Sequence, residues 1–266
     1  MKPIKYLFFA LCFVSTFAVY ARSSVEQDTI IIKKNERFDV FFSAKGQNLR
    51  IEPYQLSQNE CQISDSIITC RISEVQRGGI AYIIGDSITE FSCSSSPHLD
   101  LNLRRCPSLR KLTLKGFINS LDLSGNINLE YFHCNECDFK KLQHLDMSHN
   151  PELAYLRLYF STLTSLDISQ NIKLDTFRCE ITKIKNLDLS NNRMLSYISL
   201  GRNSFSPQEL KSVFYSLHDN QIPGKKKEFI FFDISPLKID FENGIIWNEE
   251  EKVYFDKNIL KDRKWR

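Results

Sequence analysis

The phrase Leu-Asp-x-Ser-x-Asn returns four times: Leu121-Asp122-Leu123-Ser124-Gly125-Asn126, Leu145-Asp146-Met147-Ser148-His149-Asn150, Leu166-Asp167-Ile168-Ser169-Gln170-Asn171 and Leu187-Asp188-Leu189-Ser190-Asn191-Asn192. The returns are spaced 24, 21 and 21 residues. Self-similarity at this period, with apolar residues at fixed offsets, predicts a solenoid whose units bury their apolar faces against one another. Such a chain is an extended surface, and nothing in its repeat chemistry performs a reaction.

One full unit reads Leu174-x-x-Phe177-x-Cys179-x-x-Thr182-x-Ile184-x-x-Leu187-Asp188-Leu189-Ser190-x-Asn192. Other units open at Leu109, Leu129, Leu153 and Leu195, and a degenerate one runs Ile88-x-x-Phe91-x-Cys93. Five to six coils result, more than the three or so that mutual burial requires. The apolar-x-apolar stretches alternate with period two, so they are short strands with the x positions facing solvent. Both halves of each unit carry such a pattern, and the Leu-x-x-Phe-x-Cys half is the favoured strand. The Asn closing each Leu-Asp-x-Ser turn is expected to bond backbone groups at the bend. The column of Asp would repel itself, so those carboxylates are expected to be locally bonded or well solvated. The expected fold class is a leucine-rich-repeat solenoid, mostly β and loop, with a β cap at one end and a helix/strand cap at the other.

The expected boundaries are a signal peptide over 1–21, an N-terminal β cap over 22–87, repeats over 88–203 and a C-terminal cap over 204–266. Lys2 and Lys5, the apolar run Tyr6 to Phe17 and the small-residue site Val19-Tyr20-Ala21 form the export signal, and the mature chain is expected to start at Arg22. The run is shorter than the ~20 residues needed to span a bilayer, and no stable membrane span is expected after signal removal. Short β-type runs such as Thr29 to Ile32 and Ile67 to Cys70 predict a small antiparallel cap. After Asn203 the pattern becomes helical: Ser206 as N-cap, Pro207 at the first position, Glu209 completing a capping box, then the stripe Leu210, Val213, Phe214 and Leu217. Glu228 to Ile234 reads as a further strand and Phe255 to Trp265 as a short helix, aromatics that seal the last coil.

Removing Lys2 and Lys5 leaves 33 basic against 32 acidic residues, a net of +1, which gives no electrostatic footprint for nucleic acid. The basic runs at Lys225-Lys226-Lys227 and in the C-terminal tail read as solvated. Seven cysteines remain, and export permits disulfides. Cys61 and Cys70, nine residues apart and flanking an expected turn at Ser64-Asp65-Ser66, are the disulfide candidate. Cys93, Cys134 and Cys179 replace leucine at one core position and read as small buried hydrophobes, while Cys106 holds the place of Asn126. His133-Cys134-Asn135-Glu136-Cys137 lacks the second Cys pair a zinc site needs, so no metal or other cofactor is expected.

No Gly-rich phosphate loop, Gly-x-Ser-x-Gly elbow or paired-His motif is present, and no catalytic residue is expected. Positions that vary between coils on the exposed strand face are the ones free to be functional. They are Lys111, Thr113, Lys115; Tyr131, His133, Asn135; Tyr155, Arg157, Tyr159; Thr176, Arg178, Glu180; and Tyr197, Ser199. Tyr and Arg are enriched in binding hot spots. The candidate partner-binding residues are therefore Tyr131, His133, Tyr155, Arg157, Tyr159 and Arg178. The expected partner is a protein or peptide, with a glycan second, since aromatic faces also stack on sugars, and a secreted enzyme a distant third.

Units of this type, with Leu174 to Asn192 as the best example, resemble the exported leucine-rich-repeat proteins common in Bacteroidetes, distant relatives of internalins. The entry Ile83 to Cys93, the exit Asn203 to Leu217, and Asp256-Lys257-Asn258-Ile259 with Trp265 resemble how such arrays begin and finish. The resemblance implies export, a secreted, periplasmic or cell-surface location, and protein or glycan binding without catalysis.

Overall fold

The computed structural model describes residues 27–34, 40–52, 61–64, 66–72, 80–137, 144–203, 205–219, 226, 228–230, 238–247, 252–254, 256–263 and 265. Residues 1–21, where the signal peptide is expected, the residues Phe231 to Ile234 and most of the Lys225 to Lys227 run lie outside them.

The repeats form a leucine-rich-repeat solenoid, and the Leu-x-x-Phe-x-Cys half is the sheet. Strands β7 (Ser87–Arg105), β8 (Lys111–Asp122), β9 (Tyr131–Asn135), β11 (Tyr155–Tyr159), β13 (Thr176–Glu180) and β14 (Tyr197–Ser199) pair side by side in parallel. Their register puts Leu112, Phe132, Leu156, Phe177 and Ile198 in one column, each fully buried. Alternate residues stay half-exposed, as period two requires. The Leu-Asp-x-Ser half pairs between β7 and β8, where Leu101 faces Leu121 and Asn102 faces Asp122, and then more briefly between β10 (His144–Asp146) and β12 (Ser165–Asp167), with a bridge from Ser165 to Asn186.

The asparagines do more than close local turns. Asn150 Nδ2 donates to the carbonyls of Leu123 and Asn126 in the preceding coil, at 3.0 and 2.9 Å. Asn171 does the same to Met147 and Asn150, and Asn192 to Ile168 and Asn171. Asn126 reaches Leu103 and Cys106, so the ladder ends where Cys106 supplies a carbonyl but no amide. All four asparagines are fully buried. Each amide thus adds a second donor to two buried carbonyls that also accept a backbone amide within their own turn, and it ties coil to coil.

The aspartates beside them are exposed and locally bonded. Asp122, Asp146, Asp167 and Asp188 each accept from the amide of the serine two residues on, at 2.9 Å. These serine hydrogen bonds hold the carboxyls of Asp122, Asp146 and Asp167 below the ordinary carboxylate range, against a small raising effect of Asp146 on Asp167. Local bonding and water together offset the column's self-repulsion.

A second recurring turn follows the strands. Glu136, Phe160, Ile181 and Arg202 sit at φ of 54–55°, and Gly116 holds the same place at 102°. There the amides of Glu136, Phe160 and Ile181 donate to carbonyls of the next coil, Tyr159, Glu180 and Gly201. Those bonds hold non-glycine residues in a left-handed conformation that costs of order 1 kcal/mol each.

The N-terminal strands are antiparallel, as expected, and they extend the solenoid. β7 is long enough to run through both halves of its coil. Its first half takes β2 (Val40–Gln47) on the edge away from β8, and β5 (Ile67–Ile72) and β4 (Cys61–Ile63) continue outward. Its second half takes β1 (Asp28–Lys34), then β6 (Ile80–Gly85) and β3 (Arg50–Glu52). Phe42, Ile30, Ile83 and Phe91 are buried between the two wings. Cys61 and Cys70 lie directly opposite each other on β4 and β5 and are disulfide-bonded.

At the other end, α1 (Pro207–Ser216) begins with the expected capping box: Ser206 Oγ accepts from the Glu209 amide and the Glu209 carboxylate accepts from the Ser206 amide. Leu210, Val213, Phe214 and Leu217 are buried beneath it. Strand β15 (Glu228–Ile230) adds to β14 in parallel. Buried Trp265, which follows the short helix α2 (Ile259–Asp262), donates Nε1 to the His218 carbonyl, and the His218 ring contacts the Leu195 carbonyl of the last coil.

Two of the three core cysteines behave as small hydrophobes. Cys93 and Cys179 are free and buried, and burial pushes both thiols up to about 12. Cys134 does not: it is disulfide-bonded to Cys137. The strand ends at Asn135 and the left-handed residue Glu136 turns the chain inward, which swings Cys137 into the core beside it.

Candidate functional site

The exposed strand face carries three columns. The first reads Lys111, Tyr131, Tyr155, Thr176, Tyr197; the second Thr113, His133, Arg157, Arg178, Ser199; the third Lys115, Asn135, Tyr159, Glu180. Neighbours within a column are ~4.8 Å apart at the backbone. All six candidate residues therefore belong to one patch across three adjacent strands, β9, β11 and β13.

Side-chain contacts tie the patch together. Tyr131 and Tyr155 stack with ring centroids 4.3 Å apart and planes 8° from parallel. Lys111 Nζ lies 5.4 Å from the Tyr131 ring on the side of the preceding strand. The Arg157 guanidinium sits 5.5 Å from the Tyr159 ring and that of Arg178 5.7 Å from Tyr197, both within cation–π range. Arg178 Nη2 also donates to Glu180 Oε1 at 3.2 Å, and the Ser199 hydroxyl donates to the same oxygen. Burial, with the Tyr155 ring beside it, raises the Tyr131 phenol above its ordinary range and keeps it a neutral donor.

His133 is held neutral. Burial, then the charges of Arg157 and Arg178, depress its pKa below 6.5. The folded protein binds this proton more weakly than the unfolded chain, so the linked stability is fully present above pH ~6.5 and is lost as pH falls through the lower folded value. Melting temperatures of wild type and His133→Gln should therefore diverge below pH 6.5, with wild type losing more. Parallel profiles from pH 7.5 to 5 would show that His133 is not held in this field.

Comparison of the coils in sequence separated Glu180, Ser199 and Tyr197 from the cluster, yet each contacts Arg178. The available signal was the spacing: Glu180 is two residues beyond Arg178 on one strand, hence on the same face. Phe160 was missed altogether. It follows Tyr159 in the left-handed turn and is 56% exposed.

No family model matches the chain, and no curated protein does. Among solved structures, the functional domain of InlJ from Listeria monocytogenes, which includes a cysteine ladder, is similar at 21% identity and a TM-score of 0.37. The similarity covers 48% of this chain and 27% of that one, so this chain spans about a quarter of its length. Neither partner nor activity follows from a likeness that remote. Among the described residues no helix is long and apolar enough to cross a membrane.

Proposed function

We propose that this chain is an exported leucine-rich-repeat binding protein that recognises a protein or peptide partner through the strand face around Tyr131, His133, Tyr155, Arg157, Tyr159 and Arg178. The observation that carries this is the mutual fixing of those side chains: stacked tyrosines, arginines lying over rings, all in register on paired strands. Tyr and Arg fixed in advance lose little entropy on binding, which is what hot-spot residues require. Two disulfides support an oxidising, exported setting, secreted, periplasmic or at the cell surface.

Peptide is favoured over glycan by the same contacts. Tyr131 has Tyr155 on one side and Lys111 on the other, so it offers a partner its hydroxyl and edge and no open ring face for a sugar. A random-peptide display selection on the folded protein tests the reading. Tyr155→Ala combined with Arg157→Ala should cost selected peptides about 3 kcal/mol, more than a hundredfold in Kd, with the melting temperature nearly unchanged. Binding that survives this pair but is lost on altering Asp146 and Asp167 would place the working face on the opposite side of the coil.

A further inference from the structure

We propose that the second column of the strand face is built to take a carboxylate, and that the partner presents it as an aspartate or glutamate of an extended segment. The inference rests on the strand face being the binding surface. Arg157 and Arg178 are direct neighbours in a parallel register, where like charges repel. Glu180 bonds Arg178 and accepts the Ser199 hydroxyl, and it does not reach Arg157. Arg157 has no ion pair among the described residues; its contact is the Tyr159 ring.

The unmet valences share one column. The Nε of Arg157, the Nε of Arg178 and the Nε2 of His133 are all enclosed without a hydrogen-bond partner. The two Arg Nε–H groups are donors and the neutral His133 ring nitrogen is a donor in one of its two tautomers; enclosed polar atoms of this kind are rare, because each unpaired group keeps its desolvation cost. Here three fall in one column on three adjacent strands. Arg178 keeps 28% of its side chain exposed, so a ligand has access, whereas Glu180 keeps 12% and is spent inward.

Two guanidiniums against Glu180, with His133 neutral, leave one unit of positive charge. A single carboxylate neutralises it, and a planar carboxylate matches the guanidinium fork. A phosphate, near −2, would overshoot.

The test uses three bead-bound heptapeptide libraries tethered through amidated C-termini: one containing Asp and Glu, one with Asn and Gln in their place, and one with phosphoserine in their place. The acidic library should give binders at least tenfold tighter than the amide library. Those binders should weaken tenfold or more on Arg157→Gln, weaken less on Arg157→Lys, and weaken as salt rises. Arg157→Lys retains the charge and serves as the readout if Arg157→Gln folds poorly. A Tyr131→Ala/Tyr155→Ala variant reports whether peptides sit on this face. Equal binding from the acidic and amide libraries, lost in the tyrosine variant, would overturn the carboxylate inference and leave the face reading intact. Binding insensitive to both arginine and tyrosine variants would overturn the face reading and the inference with it. Tenfold preference for phosphoserine would overturn the carboxylate in favour of a dianion, and no binders from any library would overturn the inference as stated.

Discussion

Phe177→Ala should destabilise the protein by about 4 kcal/mol, as large-to-small changes at filled core positions do. Phe177 is fully buried at the centre of β13, between Leu156 and Ile198 in register on the flanking strands. A solenoid repeat contacts only its neighbours, so the cavity would weaken both coil interfaces at once. Thr176→Ala, one residue away and on the exposed face, should cost under about 1 kcal/mol. Chemical denaturation of both variants measures the difference. Equal losses would mean that the period-two register of the strand is misplaced.

Asn171→Ala should cost about 3 kcal/mol, a loss out of proportion to the side chain's size. Its side-chain amide bonds two carbonyls in the preceding coil, and its backbone carbonyl, which the variant keeps, accepts from Asn192. Removing the amide takes a second donor from the Met147 and Asn150 carbonyls, which keep the backbone amides of Asn150 and Leu153, at roughly 0.5–1.5 kcal/mol each, and it leaves a cavity at a fully buried position that adds to the loss. Asp167→Ser, four residues earlier on the exposed side of the same turn, should cost less than about 1 kcal/mol. Urea unfolding of the two variants decides the matter. If Asn171→Ala were as mild as Asp167→Ser, the ladder would be replaceable by water.

Much of this fold was legible because repetition turns one sequence into several readings of the same structure. The 21-residue returns fixed which residues stack, and the alternation around Phe177 fixed which of them point inward. The capping box at Ser206 and Glu209 is a local device and was read correctly from local residues. The asparagine at the bend was read as a turn residue, which is true but incomplete. Its partners lie 20 to 27 residues back, and only the stacking of coils brings them within reach. The same limit hid the N-terminal arrangement, where β1 and β2 pair with different halves of β7.

Cys134 shows how repetition misleads. Its column alternates Cys93, Leu114, Cys134, Leu158 and Cys179, which argued for a uniform hydrophobic role. The exception depended on a single coil, where Cys137 follows a left-handed Glu136 and comes within bonding distance. That the six candidate residues lie side by side was legible from the repeat, but the contacts among them were not. Which ring each arginine covers, and that Glu180 serves only Arg178 among the two, follow from rotamers that a pattern of exposed positions does not encode.

Hydroxyl-radical footprinting with a display-selected peptide bound asks most directly which side of the coil does the work. Tyrosine, histidine and methionine all oxidise readily, and both sides carry them: Tyr131, His133, Tyr155 and Tyr159 on the strand face, exposed His149 and Met194 on the other half of the repeat. The bound peptide should slow oxidation of the strand-face residues and leave His149 and Met194 unchanged. Shielding of His149 and Met194 with the strand face oxidised at its free rate would contradict the assignment of that face as the binding surface.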